Sequence, residues 1–179
     1  MRFYAISGSV RAVSVHSAML RAFRDNAPDA CEVVLCDLLE SLPIFNPDRE
    51  GEATPQSVLE FAHEVGKADA LIVAAPEYAH GIPGGLKNAL DWLVSRPELI
   101  GKPVLLAHAY SHGRGHYGLA ALEEVLKTAS LQIAPNSPFS VPLVGRSPEE
   151  TKDILSEPAV RRSIRTALEA LRQWVVTLS

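Results

Sequence analysis

Three groups of residues in this chain have types and spacings that could do chemistry. The first is Ser7-Gly8-Ser9-Val10-Arg11-Ala12-Val13-Ser14. Serine hydroxyls donate single hydrogen bonds, and an arginine guanidinium offers a planar fork that fits two phosphate oxygens. Between a strand and a helix, Ser9, Arg11 and Ser14 would add to the free N–H groups and dipole of the helix N-terminus, which favour an anion. The stretch contains neither Gly-x-Gly-x-x-Gly nor Gly-Lys-Ser/Thr. A single terminal phosphate therefore suits it better than a dinucleotide pyrophosphate or a triphosphate. The same residues also make a polar turn in which Ser14 does no more than cap the helix.

The second group runs Pro76-Glu77-Tyr78-Ala79-His80-Gly81-Ile82-Pro83-Gly84-Gly85-Leu86-Lys87-Asn88-Ala89-Leu90-Asp91-Trp92. Its small residues let backbone approach a flat ligand closely, and Tyr78 offers an apolar wall. In its tail, Leu86, Leu90 and Leu93 read as core, and Lys87 with Asp91 as an exposed ion pair one turn apart. The third group is histidine. His16, His80, His108, His112 and His116 fall in or beside the same loops, and His63 lies elsewhere. His108, His112 and His116 are spaced by four, as metal ligands on a helix would be. Gly113 and Gly115 oppose a helix, and no glutamate completes a His-Glu-x-x-His motif, so no metal is expected. These histidines read either as exposed loop residues or as groups facing a bound molecule.

Alternating strands and helices must position these loops. Residues 2–7, 32–38, 70–75, 103–109 and 131–134 read as strands; 70–75 is a continuous apolar run, the mark of a central parallel strand. Helices are expected over 14–26, from Thr54-Pro55 (N-cap and first-turn proline), from Pro83, and over 118–129. A last helix carries Val160, Ile164, Leu168, Leu171 and Val175. Residues 41–54, with Pro43, Pro47 and Gly51, form a loop long enough to suggest a functional segment. Residues 135–158 read as proline-rich and irregular. The expectation is one domain over 1–179, α/β in class. It would be a flavodoxin-like three-layer fold with a five-stranded parallel sheet in the order 2-1-3-4-5. Ligands of such sheets bind beyond the carboxyl ends of the strands, which selects loops 7–14, 76–83 and 108–118.

Composition narrows the function classes. A chain with 47% hydrophobic and 21% charged residues is neither disordered nor collagen-like. A net charge of −4, from 17 basic and 21 acidic residues, argues against a nucleic-acid partner. No apolar run approaches the ~20 residues that span a bilayer, so no membrane partner is expected. Ser7-Gly8-Ser9 cuts the apolar N-terminal stretch short of a signal peptide. Cys31 and Cys36, five apart along one strand, should point to opposite faces and stay unpaired, which fits a cytoplasmic protein.

Gly-Ser-x-Arg-x-x-Ser followed by Pro-Glu-Tyr-x-x-x-x-Pro-Gly-x-Leu-Lys-Asn-Ala-x-Asp-Trp resembles the NADPH-dependent FMN reductase family. That family includes azoreductase, quinone reductase and chromate reductase relatives, and the resemblance spans roughly residues 3–134. It implies FMN as cofactor and NADPH or NADH as electron donor. It also implies that Ser9, Arg11 and Ser14 hold the FMN phosphate, with Val10, Val15 and His16 beside them. Pro76, Glu77, Tyr78 and Ala79 would border the isoalloxazine, and Ser111 would touch the flavin. His80 and His112 then become candidates for the acceptor side of the ring. The chain departs from the family pattern at His16 and Ala79, where asparagine is usual, at Gly81, and at His116-Tyr117.

The resemblance further implies ping-pong electron transfer from the nicotinamide to a quinone, azo compound or similar small acceptor. The cofactor carries the chemistry, so no side chain is expected to be catalytic. Relatives of this kind form homodimers or homotetramers. The alternatives are a flavodoxin-like electron carrier or FMN-binding module, and a flavin-free regulatory relative. A hydrolase is disfavoured because no Gly-x-Ser-x-Gly elbow occurs.

Overall fold

A computed structural model describes residues 1–113 and 115–178. The strands are β1 Arg2–Ser7, β2 Glu32–Leu35, β3 Ala70–Ala74, β4 Pro103–Ala109, β5 Gln132–Ile133 and β6 Phe139–Val141. The helices are α1 Val15–Asp25, α2 Gln56–Lys67, α3 Gly84–Asp91, α4 His116–Thr128, α5 Pro148–Ser156 and α6 Pro158–Leu178. All strand pairs are parallel, in the order β2-β1-β3-β4-β5, with β6 also on β4. Strand periodicity divides the core in two. Phe3, Ala5, Ile72 and Leu105 face α1, α5 and α6, whereas Tyr4, Ile6, Leu71 and Leu106 face α2, α3 and α4. Covered on both faces, β3 is buried at every position, as its unbroken apolar sequence requires. This is the three-layer flavodoxin-like arrangement.

Several local expectations hold. Ser14 is the N-cap of α1, and Lys87 pairs with Asp91. Cys31 packs on the α1 side of the sheet and Cys36 on the α2 side, both as free thiols. No helix among the described residues is long and apolar enough to cross a membrane.

Other elements differ. Pro55, not Thr54, holds the N-cap position of α2. The Thr54 hydroxyl donates instead to the Gly51 carbonyl at 2.8 Å, closing a 3-10 turn. Residues 41–54 are tethered rather than loose. Asn88 Nδ2 and Trp92 Nε1 both donate to the Pro43 carbonyl, at 3.0 and 2.8 Å, and Phe45 N donates to Asn88 Oδ1 at 2.7 Å. Trp92 and Leu93 are therefore interior residues, 1% and 0% exposed.

The fifth strand is split. β5 pairs with Pro103 and Val104, β6 pairs with Ala107 to Ala109, and Ser137 Oγ accepts from Leu106 N at 3.2 Å between them. Residues 135–158 are also not irregular throughout. Ser147 and Glu150 form a capping box with Pro148 in the first turn, and this starts α5.

Candidate functional site

A cleft of about 1170 Å³ lies at the carboxyl ends of β1, β3 and β4. The β1–α1 loop forms one wall. Gly8 N donates to the Ala74 carbonyl at 2.7 Å. A Cβ on Gly8 would stand 3.1 Å from both Ala75 Cβ and Leu86 Cδ2, so a glycine lets this loop lie close to β3 and α3. Ser7 and Ser17 hydroxyls meet at 2.9 Å, which fixes the loop to α1. Ser9 and Ser14 are buried in the wall, and the Arg11 side chain is exposed above them. Arg11 has no ion pair among the described residues.

The second wall is a hairpin. Tyr78 and Gly81 exchange backbone hydrogen bonds of 3.0 and 2.9 Å, while Ala79 and His80 have φ of 50° and 59°. Positive φ at both central residues belongs to a type I′ turn, where Asn-Gly is favoured and other residues are strained by roughly 1–2 kcal/mol each. The turn carries His80 onto Tyr117, with ring centroids 4.4 Å apart and planes at 28°. Tyr117 also meets His116 at 4.0 Å. This aromatic ridge joins the second loop to the third. Beneath it, Glu77 Oε2 accepts from Gly118 N in the first turn of α4 at 2.7 Å.

The cleft brings together Ser9, Arg11, Ser14, Val15 and His16 from the first loop and Pro76, Glu77, Tyr78 and His80 from the second. Val10, 55% exposed, does not line it, nor do Ala79, Ser111 and His112. The third loop contributes His108, Gly113, Gly115 and Tyr117 instead. Arg114, in that loop, lies outside the described residues. A further wall went unread in the sequence. β6 leads the chain back to the carboxyl edge of the sheet, so that Val144, Arg146 and, from α5, Thr151, Lys152 and Leu155 line the cleft. The Ser147-Pro148-Glu149-Glu150 capping pattern was the available signal for α5.

Electrostatics single out the same place. His16 is 5% exposed, and burial, reinforced by the nearby His108, lowers its pKa to about 4. Burial also lowers that of His108, against the opposing influence of the Gly115 backbone and the Glu77 charge. Three buried side-chain polar atoms among the described residues have no hydrogen-bond partner: His16 Nε2, His108 Nε2 and Thr151 Oγ1. All three residues line this cleft. Buried polar groups are nearly always paired, so three orphans around one cavity indicate a place for ligand atoms. No group of three metal-ligating side chains occurs among the described residues.

Comparison with known proteins agrees. The family profile described as NADPH-dependent FMN reductase matches residues 1–143. An NAD(P)H-dependent FMN reductase of Pseudomonas aeruginosa is 31% identical over 180 residues, 98% of this chain and 95% of its own length. A quinone reductase of Escherichia coli K12 is 34% identical over 109 residues, covering 59% of this chain and 58% of the relative. Among solved structures, FerB, a flavoenzyme NAD(P)H:(acceptor) oxidoreductase from Paracoccus denitrificans, superposes with a TM-score of 0.80 at 21% identity. That match covers 98% of this chain and 97% of FerB, and it bears on the fold alone. By sequence match over most of its length, the chain belongs to the NADPH-dependent FMN reductase family.

Proposed function

We propose that this protein is an FMN-dependent NAD(P)H oxidoreductase acting on a quinone, azo compound or similar small acceptor. The carrying observation is the convergence of unpartnered His16 Nε2 and His108 Nε2 on one cleft beside the exposed Arg11. FMN fits these groups. Its phosphate suits Ser9, Arg11 and Ser14 at the α1 N-terminus, where hydroxyls, a guanidinium and the helix dipole all favour an anion. Its ring suits the gap bordered by Pro76, Glu77 and Tyr78. When bound, FMN supplies the two-electron chemistry, accepting from a nicotinamide and passing on to the acceptor.

The chain's own residues bind and orient. Glu77 fixes the spacing of two walls through α4. Tyr78, His80 and Tyr117 edge the open side of the cleft, where donor and acceptor would take turns. Donor and acceptor taking turns at that edge would give a ping-pong sequence. We read the protein as cytoplasmic and as a homodimer or homotetramer. The two free thiols agree with the first reading. The exposed Ile44 and Val94, near the Pro43–Trp92 tether, agree with the second.

Initial rates test the reading. FMN-loaded protein should oxidise NADPH or NADH with a quinone acceptor and give parallel double-reciprocal lines. A holoprotein that consumes neither nucleotide is a carrier, and the enzyme reading fails.

A further inference from the structure

The cleft does not end at the α1 N-terminus. Its lining runs on along α1 to Asn26 and across to α5, and this part is called the second lobe. The apolar lining there is Ala18 and Ala22 of α1, Val144, and Leu155 of α5. The surround is cationic, with Arg21, Arg146, Lys152 and Arg161. Arg146 pairs with Glu150 at 3.3 Å, but Arg21, Lys152 and Arg161 have no ion pair among the described residues. Asp25, the acid in the lobe, is engaged by Arg24 at 2.9 Å. In a chain of net charge −4, three free cations around one concavity mark a local anion site.

A second observation is independent of charge. Thr151, 3% exposed, lines this lobe with its Oγ1 unpartnered. An unsatisfied buried hydroxyl is costly, and a ligand oxygen would satisfy it. The separation also matters. At 1.5 Å of rise per residue, Arg21 stands about 10 Å along α1 from Ser14. A pyrophosphate and its nucleoside cover such a span.

We propose that this lobe takes a phosphorylated adenosine continuing from the flavin phosphate, so that the protein accepts FAD as well as FMN. The inference rests on the flavin reading above. The second phosphate of FAD would leave the Ser9–Arg11–Ser14 hold toward Thr151 and the free cations. Its adenosine would lie against Ala22 and Leu155. The adenylate of the nicotinamide donor is the competing occupant. Its separate pyrophosphate would add to the charge of the flavin phosphate already held, and like charges disfavour that.

The test strips the flavin and titrates the protein with FMN and with FAD, following flavin fluorescence. It compares the parent with a Lys152→Ala/Arg161→Ala double variant. Both side chains are exposed, and a thermal melt confirms folding. In the parent, FAD should bind within about threefold of FMN or tighter. In the double variant, FAD should weaken by about tenfold or more while FMN stays within about twofold. Three results overturn the inference. These are FAD binding about tenfold worse than FMN in the parent, both flavins weakening alike, or the FMN-loaded variant showing a raised KM for NADPH with FAD binding unchanged. Failure of both flavins to bind the parent removes the flavin reading itself, and this inference with it.

Discussion

Glu77 reaches from the second loop to the first turn of α4, where its Oε2 accepts a 2.7 Å hydrogen bond from Gly118 N. Gly115 at the α4 N-cap provides no side-chain cap, so a carboxylate from a distant loop takes that part. Its charge sits at the positive end of the helix dipole. A Cβ on Gly118 would fall 2.8 Å from Glu77 Cβ and 3.0 Å from its Cα, so the contact needs a bare helix at that point. The hydrogen bond thereby ties two walls of the cleft together.

Gly118→Ala should push these walls apart. Overpacking of this kind costs about 1–3 kcal/mol. Urea titration should show the loss, and FMN binding should weaken with it. Glu77→Gln keeps an acceptor and removes only the charge, so its cost should be below about 1 kcal/mol.

Arg11→Ala should act on the ligand and not on the fold. The side chain is exposed, so stability should stay within about 0.5 kcal/mol of the parent. A lost charge-assisted bond is worth about 1.5–3 kcal/mol, or roughly 10–100-fold in FMN affinity. Equilibrium dialysis with FMN measures it.

His16 should make the flavin-free protein acid-sensitive. Its folded pKa of about 4 lies below the ordinary 6.5, so between those values the unfolded chain takes up the proton more readily. Stability contributed by the neutral, buried ring is present above pH 6.5 and is lost as pH falls toward 4. The loss is on the order of 3 kcal/mol. Glu64, whose pKa is lowered by its hydrogen bond from Arg2, and His108, whose pKa is lowered by burial, add separate acid losses that remain in His16→Asn. That variant should lose less stability over the same window in urea titrations at stepped pH.

Ala79→Asn should stabilise. Ala79 sits at φ 50° in the type I′ turn, a conformation asparagine tolerates better than alanine. The gain should be up to about 1 kcal/mol, seen as a rise in Tm.

The strand order and the first two loops were legible because local pattern dictates them. The 70–75 apolar run has to be central, and Ser14 caps α1 through Ser17, three residues on. Long-range pairings were not legible. Nothing near Glu77 points to Gly118, 41 residues away, and nothing near Asn88 points to Pro43. β6 is three residues long and exists only because β4 offers a free edge beyond β5. With β6 and α5 unread, the third wall of the cleft and its cations were invisible.

Everything above turns on this cleft being a flavin site. Its most direct measurement is the visible spectrum of the protein after incubation with excess FMN and desalting. One FMN should be retained per chain, with flavin absorbance that bleaches when NADPH or NADH is added without oxygen. A protein that emerges colourless would contradict it.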